Sequence, residues 1–270
     1  MLDDQAKLLA FWINERYSIL QKRRAGEPKP WTTDKIFRSV RFCNVHREDD
    51  RVTQWIRDHW RNDNWYHDNL TEAMVLARMV NRPESLDAIG YPSPWEPSFI
   101  KDVLKRLPPP IFGNAYIITT CGKSMDKVDY VVDWVCDEVH KRKFKWNKGD
   151  TLWTAHSKLM NVDGLGSFLA AQVVADLKNT TYHPLSYAPD WHSWSAHGPG
   201  SLKGLSYYHG THISPYAYEW AIRKAYEEVK PLINPEIPPI HMQDFQNCLC
   251  EFSKYCRVRD GGRAKNGYPG

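Results

Sequence analysis

Apolar residues recur at helical spacing along most of this chain, and that feature restricts the fold more than any other. Between residues 126 and 142, Val128, Val131, Val132, Val135 and Val139 fall at i, i+3, i+4, i+7 and i+11. That is one stripe of a 3.6-residue helix. Lys141, Arg142 and Lys143 follow it, at the end where a helix dipole favours cations. Residues 48–61 place Val52, Trp55, Ile56 and Trp60 on a similar stripe, and residues 70–80 carry Met74, Val75, Ala77 and Met79. Residues 241–256 add Met242, Phe245, Leu249, Phe252 and Cys256. Strand-like alternation is scarce, and the best candidate, Ala115 to Thr120, is short. Pro and Gly clusters at 27–30, 91–97, 108–110, 197–204 and 231–239 separate the helical runs. The expectation is a mostly α fold.

With 270 residues, 42% hydrophobic and 25% charged, the chain can bury a core and is not a disordered segment. Its longest apolar stretch, around Phe168 to Val174, is far short of the ~20 residues that span a bilayer. The opening MLDDQAK lacks the basic and apolar regions of a secretory signal, so a cytoplasmic protein away from membranes is expected. Lys and Arg number 36 against 32 acids, a net charge of +4. That balance permits a nucleic-acid partner without requiring one. The 12 Trp and 14 Tyr can fill a core or stack on bases. The six cysteines include no CxxC, and Cys248, Cys250 and Cys256 form C-x-C-x5-C, unlike the common zinc and iron–sulfur spacings. Reduced thiols with no metal and no cofactor are expected.

One motif rises above this background. Residues 150–177 read DTLWTAHSKLMNVDGLGSFLAAQVVADL. A helix ends near Met160, a tight turn runs from Val162 to Gly166, and a second helix carries Leu169, Ala170, Val173, Val174 and Leu177. This resembles a helix–hairpin–helix, in which glycines let the backbone approach a phosphate and the second helix aims its first amides at it. Gly164, Gly166, Ser167 and Lys158 are the candidate DNA contacts. The plainer alternative is an αα-hairpin with a glycine turn.

In DNA glycosylases built on this motif, a catalytic Asp follows the hairpin by roughly 20 residues. Asp190 follows Gly166 by 24, within Ala188-Pro189-Asp190-Trp191-His192. The lysine of the lyase-type enzymes would stand two residues past the last glycine, where this chain has Phe168. A Schiff-base mechanism is therefore unsupported.

Several polar segments narrow the reading. RFCNVHREDDRVTQWI begins at Arg41, GKSMDKVDYV at Gly122, GPGSLKGL at Gly198 and LCEFSKY at Leu249. With VDGLGSFLAAQV and the opening FWINERYSILQKRRAGEPKPWT, these strings resemble the alpha-glutamyl/putrescinyl thymine pyrophosphorylase family. The resemblance covers residues 11–256 in the family's motif order.

That resemblance implies a helix–hairpin–helix DNA glycosylase-like fold, two helical lobes around a cleft within residues 1–260, and a frayed tail at 261–270. It implies a bacteriophage enzyme acting on double-stranded DNA that carries 5-hydroxymethyluracil. A separate kinase esterifies the hydroxymethyl group. The enzyme then displaces phosphate or pyrophosphate with an amine, an amino acid being the expected donor. Such chemistry needs a pocket for a flipped base, donors on the leaving group and a carboxylate to take the amine's proton.

Asp190 and Lys203 are the candidate catalytic groups. Gly198, Gly200, Ser201, Lys203 and Lys123 are the candidate leaving-group site, with the glycine-rich 198–204 segment read as a phosphate-holding loop. Arg41, Asn44, Arg47, Arg51, Tyr187, Trp191, Glu251 and Lys254 are the candidate substrate contacts. Two alternatives stay open: a monofunctional DNA glycosylase, in which Asp190 activates water, and a non-catalytic DNA-binding module. A monomer is expected.

Overall fold

The computed structural model describes residues 2–116 and 118–263, and among them it is helical throughout, with no strand. Ala115 to Thr120, the expected strand, forms bends and irregular chain at its described positions. Residues 264–270 of the expected tail lie outside the described residues. Gly261 and Gly262 instead close the last helix by donating to Val258 and Arg257.

The helices are α1 (Leu2–Arg24), α2 (Lys35–Ser39), α3 (Arg51–Ile56), α4 (Leu70–Val80), α5 (Pro83–Ile89) and α6 (Pro97–Arg106). The valine-striped stretch comprises α7 (Lys127–Asp129), a π-helical segment (Tyr130–Cys136) and α8 (Asp137–Arg142). Then come α9 (Leu152–Met160), α10 (Ser167–Lys178), α11 (Pro199–His209), α12 (Tyr218–Val229) and α13 (Met242–Arg259). A second π-helical turn, Arg57–Arg61, extends α3. No helix among the described residues is long and apolar enough to cross a membrane.

The chain divides into two compact units. Arg51–Ala196 forms an inserted unit, and the segments up to Asp50 and from His197 form a terminal unit. Each has its own apolar core.

In the inserted unit α4 is central. All eleven of its residues are buried, so it is not a surface helix with one apolar stripe. Burial all round forces its two charged residues to find partners. Arg78 donates from Nε and Nη2 to the two carboxylate oxygens of Asp176 on α10, at 2.6 and 2.5 Å. Arg61 Nη1 lies 3.6 Å from the same carboxylate. Glu72 faces His140 Nδ1 at 3.3 Å.

The terminal unit is built on α11 against α13. Gly200 and Gly204, one turn apart, face that contact. A Cβ on Gly204 would stand 2.1 Å from the Leu249 carbonyl oxygen, and one on Gly200 would stand 2.2 Å from Cys250 Sγ. The expected phosphate-holding loop is corrected here. From Pro199 on, the segment is helix, and two of its glycines allow helix–helix approach.

Candidate functional site

The turn between α9 and α10 is the most fully specified feature of the inserted unit. Thr151 caps α9 by accepting from the Thr154 amide. Asn161 to Gly166 reverse the chain, and Gly166 is the N-cap of the twelve-residue α10. The two turn glycines differ. Gly164 sits at φ +94, and a Cβ there would lie 2.6 Å from both Tyr130 Oη and Val135 Cγ2 of the π-helical segment. The fold itself therefore demands glycine at 164. Gly166 has φ −64 and ψ 168, which any residue adopts, and nothing stands within 4 Å of its Cβ position.

Asp163 ties the turn to its neighbours. The Trp134 indole donates to its Oδ2 at 2.9 Å, and Lys123 Nζ lies 3.3 Å away. These contacts hold the Asp163 carboxyl below the usual carboxylate range. Lys123 also sits 3.8 Å from the Trp134 ring centroid, so it braces the turn. Beyond the turn, Ser167 accepts from His156 through its carbonyl at 3.0 Å. Lys158 lies over the Trp146 ring at 5.3 Å. Phe168 is half-exposed beside Tyr116.

Asp190 reaches the start of α9. Its Oδ1 accepts from the Leu152 amide at 2.7 Å and its Oδ2 from the Trp153 amide at 3.1 Å. A carboxylate at a helix N-terminus satisfies two orphan donors and complements the dipole. The residue thus anchors the hairpin's first helix, a helix far upstream in sequence. Asn offers one acceptor and would turn an NH2 toward the second amide. Asp190→Asn is therefore expected to cost about 1–2 kcal/mol of stability, measurable by denaturant unfolding. A variant as stable as wild type but without activity would return Asp190 to the reacting centre. The other bases considered nearby include His183, which is buried and pushed down to about 4. Its Nδ1 accepts from the Leu185 amide.

The remaining candidates fall into separate sets. Trp191 is pinned to the end of α10, its indole donating to the Lys178 carbonyl at 2.9 Å while Lys178 Nζ covers its ring at 4.4 Å. Tyr187 is half-exposed, under Lys148 Nζ at 4.6 Å. Arg51 is exposed and lies 3.7 Å from Glu84. These three belong to the inserted unit.

In the terminal unit, Arg41, Asn44, Arg47, Glu251 and Lys254 join one polar network. Glu251 Oε2 accepts from the Cys43 amide at 3.0 Å and from Lys254 Nζ at 2.8 Å. Lys254 also donates to the Arg41 carbonyl. Asn44 accepts from Arg16 and donates to the Asp49 carbonyl. The Arg47 amide donates to Asp244. The network straps residues 41–49 onto α13. In α11, Ser201 is fully buried and exchanges hydrogen bonds with the Gly198 amide and carbonyl. Lys203 is exposed on the same helix.

One feature escaped the sequence reading. A groove of about 390 Å³ in the inserted unit is lined by Tyr66, His67, Asp68, Asn69, Ser93, Pro94, Trp95 and His140. Its residues come from three segments, none of which forms a motif. The only signal was the run Trp65-Tyr66-His67-Asp68-Asn69, dense in aromatic and titratable groups. The Asn69 amide is fixed by the Tyr91 hydroxyl and the Pro92 carbonyl. Trp95 donates to Asp137. Burial pushes the Glu72 carboxyl behind His140 above the usual range. Among the described residues no group of three or more His, Cys, Asp or Glu is placed to hold a metal.

The model of the family described as "5-hmdU DNA kinase, helical domain" matches residues 4–263. The chain belongs to that family. A curated relative, the 5-hmdU DNA kinase of Bacillus phage SP10, is 26% identical over 226 residues. The match covers 73% of this chain and 35% of the relative, so the chain spans about a third of that protein's length. No solved structure matches. The family shown is that of the kinase helical domain. The pyrophosphorylase membership that the motifs suggested is the finer assignment.

Proposed function

We propose that this helical domain acts on 5-hydroxymethyluracil in double-stranded DNA. In this reading it engages the duplex through the α9–α10 turn and exchanges the phosphate or pyrophosphate of an esterified base for an amine. The observation that carries it is the turn itself. Gly166 stands where the fold asks for no glycine, at the head of a twelve-residue helix, with Phe168 exposed beside it. A helix start with open approach suits a DNA phosphate. The helix–hairpin–helix, glycosylase-like assignment rests on this arrangement and on the motif resemblance.

The family name supports the choice of base. A kinase that esterifies 5-hmdU makes the leaving group that an amine transferase would consume. The 5-methylene carbon is allylic to the ring, so its C–O bond can break early. The amine lone pair forms the C–N bond while the C–O electron pair leaves with phosphate. The glycosidic bond stays intact.

The test is nucleoside mass spectrometry of phosphorylated 5-hmdU duplex after incubation with the full chain and a panel of amines. A 5-aminomethyl-type nucleoside is the expected product. A free base would mark excision, and unchanged DNA with every amine would leave the domain a binding module.

A further inference from the structure

We infer that the groove between Tyr66 and His140 seats the donor amine, and that His140 takes its proton. This rests on the amine-transfer reading above and locates its second substrate. The groove's chemistry points to a cation. Tyr66 stacks on His67, with centroids 4.5 Å apart, and Trp95 lies against His140 at 5.8 Å and 22°. Asp68 is exposed at the lining, and Glu72 lies buried behind His140. None of the eight lining residues is Lys or Arg. Ring faces and carboxylates attract an ammonium group. A phosphate would meet only negative charge.

The same composition selects within the amines. An amino acid carries a carboxylate that wants a guanidinium or ammonium partner, and the lining supplies neither. The groove therefore suits a carboxylate-free amine, such as an aliphatic diamine.

His140 is arranged to move a proton. Its Nδ1 faces the Glu72 carboxylate at 3.3 Å. A buried acceptor there holds the proton on Nδ1 and leaves Nε2 with a lone pair. The side chain is 38% exposed and Glu72 only 5%, so the carboxylate orients the ring while the ring meets the ligand. One proton passes from the ammonium to His140 Nε2. The freed lone pair attacks the 5-methylene carbon, and the C–O electron pair departs on the phosphate. His140 is the catalytic residue, and Glu72 a positioning residue.

Two measurements on the full chain test this. The first is calorimetry with 1,4-diaminobutane, and with glycine for comparison. The diamine should bind, glycine should bind more weakly, and Asp68→Asn should weaken the diamine by at least ~10-fold, as loss of a facing charge implies. The second is amine transfer by His140→Ala. It should fall by at least ~10²-fold, the low end for general base catalysis, and added imidazole should restore part of it. Diamine binding that is absent, or that Asp68→Asn leaves unchanged, overturns the seat. Glycine binding as tightly as the diamine overturns the selectivity. Full transfer by His140→Ala overturns the proton role. Diamine bound in the groove with no C–N product from wild type would instead sink the transfer reading and leave the amine seat standing.

Discussion

Asp176→Ala is expected to unfold the inserted unit or to leave it barely stable. The Asp176 carboxylate is fully buried, takes two charge-assisted hydrogen bonds from Arg78 and stands 3.6 Å from Arg61. It joins α10 to α4, the helix buried on every side. Removing one partner of a buried ion pair costs about 3–5 kcal/mol, a large share of the ~5–15 kcal/mol that holds a domain together. Denaturant unfolding followed by circular dichroism should show the loss directly. A variant within about 1 kcal/mol of wild type, the range of an exposed pair, would mean that the arginines are held by other groups.

Gly204→Val is expected to disrupt the terminal unit to a similar degree. A Cβ at 204 meets the backbone carbonyl of Leu249 at 2.1 Å, and backbone cannot swing aside. The two helices must separate, and their shared core, which includes Leu205, Phe245, Leu249 and Phe252, opens with them. Overpacking of this kind costs about 3 kcal/mol or more when no flexible atom can yield. Gly198→Ala is the control, since nothing lies within 4 Å of its Cβ position. Equal stability of the two variants would contradict the helix contact and favour the phosphate-holding loop.

Those two glycines show where sequence reading stopped. GPGSLKGL has the composition of an anion loop, and composition cannot tell a loop from a helix whose glycines admit a neighbour. The deciding partner, α13, lies some 40 residues downstream in the sequence. Periodicity did better where burial was one-sided. Val128, Val131, Val132, Val135 and Val139 are all buried, and α9, its turn and α10 begin and end close to where the motif puts them. It gave no sign that α4 is buried on every face, because a central helix has no stripe. Asp190 was legible as a special carboxylate, since its placement after the turn drew notice. Its bond to the start of α9 was not, because that contact spans 38 residues. The Tyr66–His140 groove was invisible for the same reason.

The central claim is that the α9–α10 turn engages DNA, and Gly166 tests it most directly. Fluorescence anisotropy of a 5-hmdU duplex, titrated with wild type and Gly166→Val over a range of salt, is the measurement. The backbone at 166 accepts any residue and the space around it is open, so the variant should unfold at the wild-type midpoint. It should bind at least ~10-fold more weakly, with a shallower dependence of log Kd on log salt, because phosphate contacts are lost. Wild-type affinity and slope in a folded Gly166→Val protein would contradict the account and remove the turn from the DNA interface.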